Sequence, residues 1–271
     1  RGVLRIYNDL DSNLYNMMYC VREKPVSVIT ELKYMQNSRE EFETMLRTLK
    51  DKDFAGKNLA EELELTQISF PPAQAEEISA MLMQRAIPPD ARRAAIFFLL
   101  HNLSYNGLGT EFAALDRDWD RFEHQITRCA RILQHIPMEN RSYKDILGKY
   151  DAPDTVFYCD PPYLGAEKYG VPFYRSDHQE LHDMLATRKS FVIVSYNKKD
   201  EIKELYHDFF IFEVDRPNSM SKKKEDRYEE YIMTNYDPSM FAPQISFFNN
   251  YDNGKKACTL VHTPQYPLKE K

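Results

Sequence analysis

The stretch Thr155-Val156-Phe157-Tyr158-Cys159-Asp160-Pro161-Pro162-Tyr163 decides the reading of the fold. Its first five residues predict a short buried strand that ends at Asp160. The two prolines then close the ladder, because neither has an N–H to donate and each fixes φ. Downstream, Ser176 and Gln179 have capping-box spacing and predict a helix through Leu185. Phe191-Val192-Ile193-Val194 reads as a second wholly apolar strand, Lys199–His207 as a helix, and Phe209–Val214 and Glu230–Thr234 as strands. Strand, helix, strand, helix, strand predicts an α/β fold with a doubly wound, mostly parallel sheet covered on both faces. The polar loop between the last two strands predicts an antiparallel hairpin at one end of that sheet.

Upstream, Val3–Tyr7 reads as a strand and Asn8–Ser12 as a turn into a helix, with Leu14, Met17, Met18 and Val21 on one face and Pro25 closing it. Residues 26–135 contain little that resembles a strand. Helical spacing recurs at Val28, Ile29, Leu32 and Met35, and at Phe42, Met45, Leu46 and Leu49. It recurs again over Ala73–Ile87 and over Ala91–His101 behind Pro88-Pro89-Asp90, with Leu103–Phe112 as a loop. Asp118 is placed to cap a helix facing inward with Phe122, Ile126, Cys129 and Leu133. The expected organisation is one domain built from 1–25 and 136–262, a helical insertion over 26–135, and a loosely held tail over 263–271.

Composition narrows the class of protein. The 271 residues include 18 Tyr and 16 Phe, enough for a sizeable core. No apolar run is long enough to span a membrane. The four cysteines, Cys20, Cys129, Cys159 and Cys258, have no metal-ligand spacing, and the seven histidines are scattered. Reduced thiols in a cytoplasmic monomer without a metal are the simplest expectation. The net charge of −6 requires that any phosphate-binding face be local.

In an open α/β sheet, ligands bind beyond the carboxyl ends of the strands, where Asp160–Tyr163 falls. An amine conjugated to an aromatic ring is a poor nucleophile, because its lone pair is spread into the ring. Two acceptors on its N–H bonds return that pair to nitrogen. Asp160 supplies one acceptor and the Pro161 carbonyl the other, both held rigid by Pro161 and Pro162. Tyr163 offers a face for a stacked base. A base inside a duplex must be flipped out to reach such a corner, and the matching methyl donor is a sulfonium compound, S-adenosylmethionine.

Val156-Phe157-Tyr158-Cys159-Asp160-Pro161-Pro162-Tyr163 resembles the catalytic motif of Dam-type (D12 class) DNA adenine-N6 methyltransferases. Further likenesses follow in family order. Tyr7–Leu14 resembles the segment after the family's second strand, and Leu100–Thr110 the segment ahead of its DNA-reading loop. His178 and Leu181 resemble its helix after the motif, Ile193–Asn197 its next strand end, and Tyr231–Asn235 its closing strand. The resemblance spans residues 1 to about 236. It implies a Rossmann-like methyltransferase fold, double-stranded DNA as partner, and S-adenosylmethionine as cofactor. Asp160, Pro161, Pro162 and Tyr163 become the catalytic set, with Asp160 also at the cofactor. Asp9 becomes the ligand of the cofactor ribose, and Tyr143 packs near its adenine, although Ser142 stands where the family often has an acidic residue. The setting implied is DNA methylation of the restriction-modification kind.

For DNA contact the resemblance directs attention to the helical insertion, with Arg92, Arg93, Tyr105 and Asn106 as candidates. Arg216, Lys222, Lys223 and Lys224 suit phosphates or, equally, a solvated hairpin tip diluted by Glu225 and Asp226. The family opens with a glycine-rich cofactor loop. No such loop precedes Arg1, and Asn253-Gly254-Lys255 is too glycine-poor to replace it. With only 8 Gly, the chain is expected to start after the first strand. Alternatives are a catalytically silent DNA-binding relative, or methylation of cytosine N4 or of a glutamine side chain. The expectation for calorimetry with S-adenosylmethionine is binding weaker than about micromolar, a dissociation constant that itself corresponds to about −8 kcal/mol; a micromolar constant would contradict the reading of a missing loop.

Overall fold

The computed structural model describes residues 3–35, 37–50, 90–104, 109, 111–113, 118–165, 173–217, 227–241, 251–252, 255–256 and 258–265, with 64, 67, 68, 71, 72, 75 and 268. Most of the helix expected over Ala73–Ile87 lies outside the described residues, as does half of the loop at 103–112. The chain divides into two compact units, Arg1–Arg141 and Ser142–Lys271.

In the first unit, β1 (Tyr7–Asn8) pairs in parallel with β2 (Met138–Glu139). The strand expected over Val3–Tyr7 shrinks to its end, and Val3 and Leu4 are exposed. Asp9 accepts the Asp11 N–H at 2.8 Å, and Asp11 in turn caps α1 (Ser12–Glu23). Pro25 opens α2 (Pro25–Tyr34) as its first residue, a position where its fixed φ fits and its missing N–H costs nothing. Next come α3 (Arg39–Lys50), α4 (Ala91–Asn102) and α5 (Trp119–Leu133). Asp90 and Asp118 cap α4 and α5 by accepting the N–H of Arg93 and of Arg121. Buried Asn16 joins α1 to the start of α4, donating to the Asp90 carbonyl at 2.9 Å and accepting its N–H at 2.8 Å. The core gathers Cys20, Val28, Leu32, Phe42, Leu99 and Ile126. Trp119 and Phe98 each meet Phe122 edge-on. Cys129, expected on the buried face of α5, is exposed.

The second unit runs α6 (Tyr143–Lys149), β3 (Val156–Cys159), α7 (Arg175–Ala186), β4 (Phe191–Asn197), α8 (Asp200–Leu205), β5 (Phe210–Pro217), β6 (Arg227–Thr234) and a 3-10 turn (Pro238–Phe241). A small ladder β7 (Tyr251–Asp252) with β8 (Lys255–Lys256) and the strand β9 (Cys258–His262) follow. The sheet order is β3-β4-β6-β5-β9. It is mixed rather than mostly parallel: β3 and β4 are parallel, while β4–β6, β5–β6 and β5–β9 are antiparallel. The hairpin expected at the end is present, but β6 returns inside it, beside β4, and β9 pairs on the outer edge of β5. On one face Leu147, Leu181, Leu185, Ile202 and Tyr206 pack against Val192, Val194, Tyr196 and Met233. Phe210, Phe212 and Cys258 cluster on the other.

Three polar devices hold this unit together. Asn235 is buried and accepts the Val192 N–H at 2.9 Å while donating to the Ser190 carbonyl at 3.1 Å, which fixes where β4 begins. The α7 N-terminus is capped two residues earlier than expected: the Asp177 carboxylate accepts the Tyr174 N–H at 2.6 Å, and Gln179 instead bonds Asp183. Farther along α7, buried His182 meets Asp183 at 2.9 Å and, in the turn after α8, Asp208 at 2.8 Å, with the rings of Tyr206 and Phe209 against it.

Burial by itself pulls the His182 pKa down, but the hydrogen bonds and charges of Asp208 and Asp183 outweigh it and raise the value. A folded pKa above the unfolded one contributes stability that is complete below the unfolded value and is lost as pH rises through the folded one. Urea midpoints should therefore fall across the range just above the ordinary imidazole pKa of about 6.5. In Asp208→Asn that part of the slope should flatten.

Candidate active site

The parallel pairing of β3 with β4 sets Cys159 opposite Val194, so both strands end on the same side of the sheet. Asp160 follows β3 directly, and Ser195 follows Val194. The buried Ser195 hydroxyl reaches Asp160 Oδ1 at 2.8 Å and lies 3.3 Å from the Cys159 carbonyl. The Tyr158 hydroxyl donates to Ser195 Oγ at 3.3 Å. An exposed carboxylate is thus held through one oxygen by a buried hydroxyl, and its second oxygen has no partner among the described residues.

Three residues on, the half-buried Tyr163 donates its phenol to Glu230 Oε1 at 3.2 Å. Glu230 lies opposite Asn197 in the β4–β6 ladder. Asn197 Nδ2 donates to the Leu164 carbonyl at 3.2 Å, and its Oδ1 is buried without a hydrogen-bond partner. Gly165 then turns the chain at φ +82°, a conformation that side chains rarely adopt. Behind Tyr163 the rings continue as a row: Tyr196 at 6.2 Å, His178 at 5.5 Å from Tyr196, Phe173 at 4.8 Å from His178, and Tyr143 at 5.9 Å from Phe173. His178 Nδ1 also bonds the Tyr196 hydroxyl at 2.8 Å.

This row is electrically neutral. Burial, with the charges of Asp160 and Glu230, raises the Tyr163 pKa, so the phenol keeps its proton. Burial lowers His178 and keeps its imidazole uncharged, against a small opposing effect of Asp177. Burial and Asp160 push the Cys159 thiol up to about 12, which removes it as a nucleophile.

Asp160, Pro161, Pro162 and Tyr163 therefore form one corner, with Tyr143 at the far end of its aromatic row. Tyr143 is the first residue of α6, its hydroxyl is buried without a hydrogen-bond partner, and Ser142 caps the helix by accepting the Lys144 N–H. Asp9 lies in the first unit at the end of β1. Its carboxylate accepts from Asp11 N–H at 2.8 Å and from Tyr7 hydroxyl at 3.4 Å, and burial raises its pKa. Tyr105, Asn106, Lys222, Lys223 and Lys224 lie outside the described residues, as does the side chain of Arg216 on β5. Arg92 is exposed, whereas Arg93 ties α4 to α1 by donating to the Ser12 carbonyl at 3.0 Å.

Ser195, Tyr196, Asn197, His178 and Glu230 received no site role from the sequence. The signal for Ser195 was its place just past an apolar strand run. Glu230 could be found only from the register of β6. Among the described residues no helix is long and apolar enough to cross a membrane, and no group of three or more His, Cys, Asp or Glu could hold a metal.

A sequence model of the family described as D12 class N6 adenine-specific DNA methyltransferase matches residues 5–220. No curated protein matches the chain.

If the Glu230 carboxylate helps hold the Tyr163 phenol in its protonated form, removing that charge should make ionisation easier. In ultraviolet difference titrations, Glu230→Gln should lower the pH at which one tyrosine ionises. The difference should vanish when the same substitution is compared in a Tyr163→Phe background.

Proposed function

The chain belongs to the D12 class N6 adenine-specific DNA methyltransferase family, and from that premise we propose that it transfers a methyl group from S-adenosylmethionine to the exocyclic N6 of an adenine flipped out of double-stranded DNA. The observation that carries the reading is the exposed Asp160 carboxylate, anchored through Oδ1 by Ser195 at 2.8 Å and followed by two prolines and a neutral tyrosine.

The family resemblance points to two residues for the cofactor. Asp9, a carboxylate at the end of a strand with lone pairs to spare beyond its bonds to Asp11 and Tyr7, is the proposed acceptor for ribose hydroxyls. Tyr143 contributes an aromatic face and an unsatisfied buried hydroxyl. When bound, S-adenosylmethionine supplies an electrophilic methyl group. Asp160 accepts one N–H of the adenine amine and the Pro161 carbonyl accepts the other. The amine lone pair thereby concentrates on nitrogen, and the charge developing there is met by a carboxylate already in place. Ser195 keeps Asp160 from rotating, and Tyr163 stacks on the base, a contact worth about 1–3 kcal/mol. The proton lost from nitrogen passes to the exposed Asp160 and on to water. Residues 1–25 and 136–262 are assigned the chemistry and 26–135 target recognition.

The test is transfer of labelled methyl to adenine-containing duplexes at saturating cofactor. Asp160→Ala should lower kcat by about 10²–10³-fold, the range for loss of a preorganised partner of developing charge. Ser195→Ala should cost about tenfold or more, since a hydrogen bond to a charged group contributes about 1.5–3 kcal/mol. Undiminished transfer by Asp160→Ala would sink the mechanism, and label appearing on cytosine instead would move the substrate to N4.

A further inference from the structure

The helix α5 carries a feature that the catalytic corner does not use. Phe122, Ile126 and Leu133 are buried. At 100° per residue, Arg121, His124, Arg128 and Arg131 fall within an arc of roughly 80° on the opposite side, and His135 follows in the turn just past the helix. All five are exposed. Asp120 and Glu123 fall outside the arc, and Glu123 is tied to Lys33 at 3.2 Å. None of the five basic side chains is paired with a carboxylate among the described residues. The stripe is positive on a chain whose net charge is −6.

We propose that this face of α5 is a phosphate track: it lies along the backbone of duplex DNA and binds it without reading sequence. This rests on the proposed DNA substrate and adds a surface remote in sequence from Asp160–Tyr163. Three of the five are guanidiniums, which stay charged and suit phosphate oxygens. From Arg121 to Arg131 the track extends roughly 15 Å, with the guanidiniums about 10.5 Å and 4.5 Å apart along the axis. That length corresponds to roughly four base-pair rises of a strand that carries a phosphate every 3.4 Å. The helix is locked by its Asp118 cap and its buried face, so the cations are presented in fixed order. A lipid surface is the poorer fit, because a membrane-binding helix buries its apolar side in the bilayer, and here that side is already buried in the core.

The experiment uses the full chain and short labelled DNA duplexes of unrelated sequence, with binding followed by fluorescence anisotropy across a salt series. Each neutralised phosphate contact should lower the slope of log K against log salt by about 0.9, so Arg121→Gln, Arg128→Gln and Arg131→Gln together should lower it by about 2.7. Affinity should drop on the order of tenfold or more at about 0.1 M salt, equally for every duplex. In methyl transfer the triple variant should raise KM for DNA and leave kcat unchanged. The corresponding triple Lys variant should keep both affinity and slope, which separates charge from helix damage. Wild-type binding with an unchanged slope in the triple Gln variant would overturn the track and leave the catalytic reading standing. So would loss of binding to phosphatidylglycerol vesicles in that variant while DNA binding persisted. A wild-type chain that neither binds nor methylates any duplex would overturn both readings.

Discussion

The parallel register of β3 on β4 is the constraint from which the site follows. Side chains alternate along a strand, so a slip of one residue would send Ser195 to the opposite face and leave Asp160 without its anchor. That register is held at the amino ends of the strands. Asn235 occupies the backbone groups of Val192 and Ser190, and Asp151 accepts both the N–H and the hydroxyl of Ser190. The carboxyl ends, where chemistry is proposed, are therefore positioned by hydrogen bonds at the far end of the same short strands.

Within the site, charge and neutrality are separated. The carboxylate of Asp160 is exposed, while the groups behind it (Tyr163, Tyr196, His178 and Cys159) are kept uncharged chiefly by burial. In the proposed reaction the amine would meet one carboxylate acceptor against an apolar, aromatic background. Glu230 is the second carboxylate of the corner, and the Tyr163 phenol donates to it. It holds the Tyr163 ring and makes no contact with Asp160 among the hydrogen bonds described.

Much of this was legible in the residues. The apolar run into Asp160-Pro161-Pro162-Tyr163, the second apolar strand, and the aspartate caps at Asp90 and Asp118 all appear where local rules place them. What local rules miss is partnership across the chain. Nothing near Phe210 or Glu230 in sequence states that β6, not β5, pairs with β4. The Val3–Tyr7 strand failed because a short apolar run needs a ladder, and β2 offers only two residues. The α7 cap moved because the Asp177 carboxylate accepts the Tyr174 N–H, which starts the helix at Arg175 and leaves Ser176 inside its first turn. The basic residues of α5 are three or four apart, so they form no run in the sequence, and only the orientation of the helix turns them into a surface.

The single tryptophan, Trp119, begins α5 with its ring edge-on to Phe122. Intrinsic tryptophan emission from this protein is therefore a local signal, confined to the Arg1–Arg141 unit and to the helix that carries the basic stripe. The Ser142–Lys271 unit contains no tryptophan and is visible in absorption mainly through its tyrosines. Thirteen of the 18 tyrosines lie in that unit, so tyrosine absorption is weighted toward it, while Trp119 emission reports on the other unit alone. If the two units melt or respond to a ligand independently, the emission and the tyrosine absorption will report it as two curves.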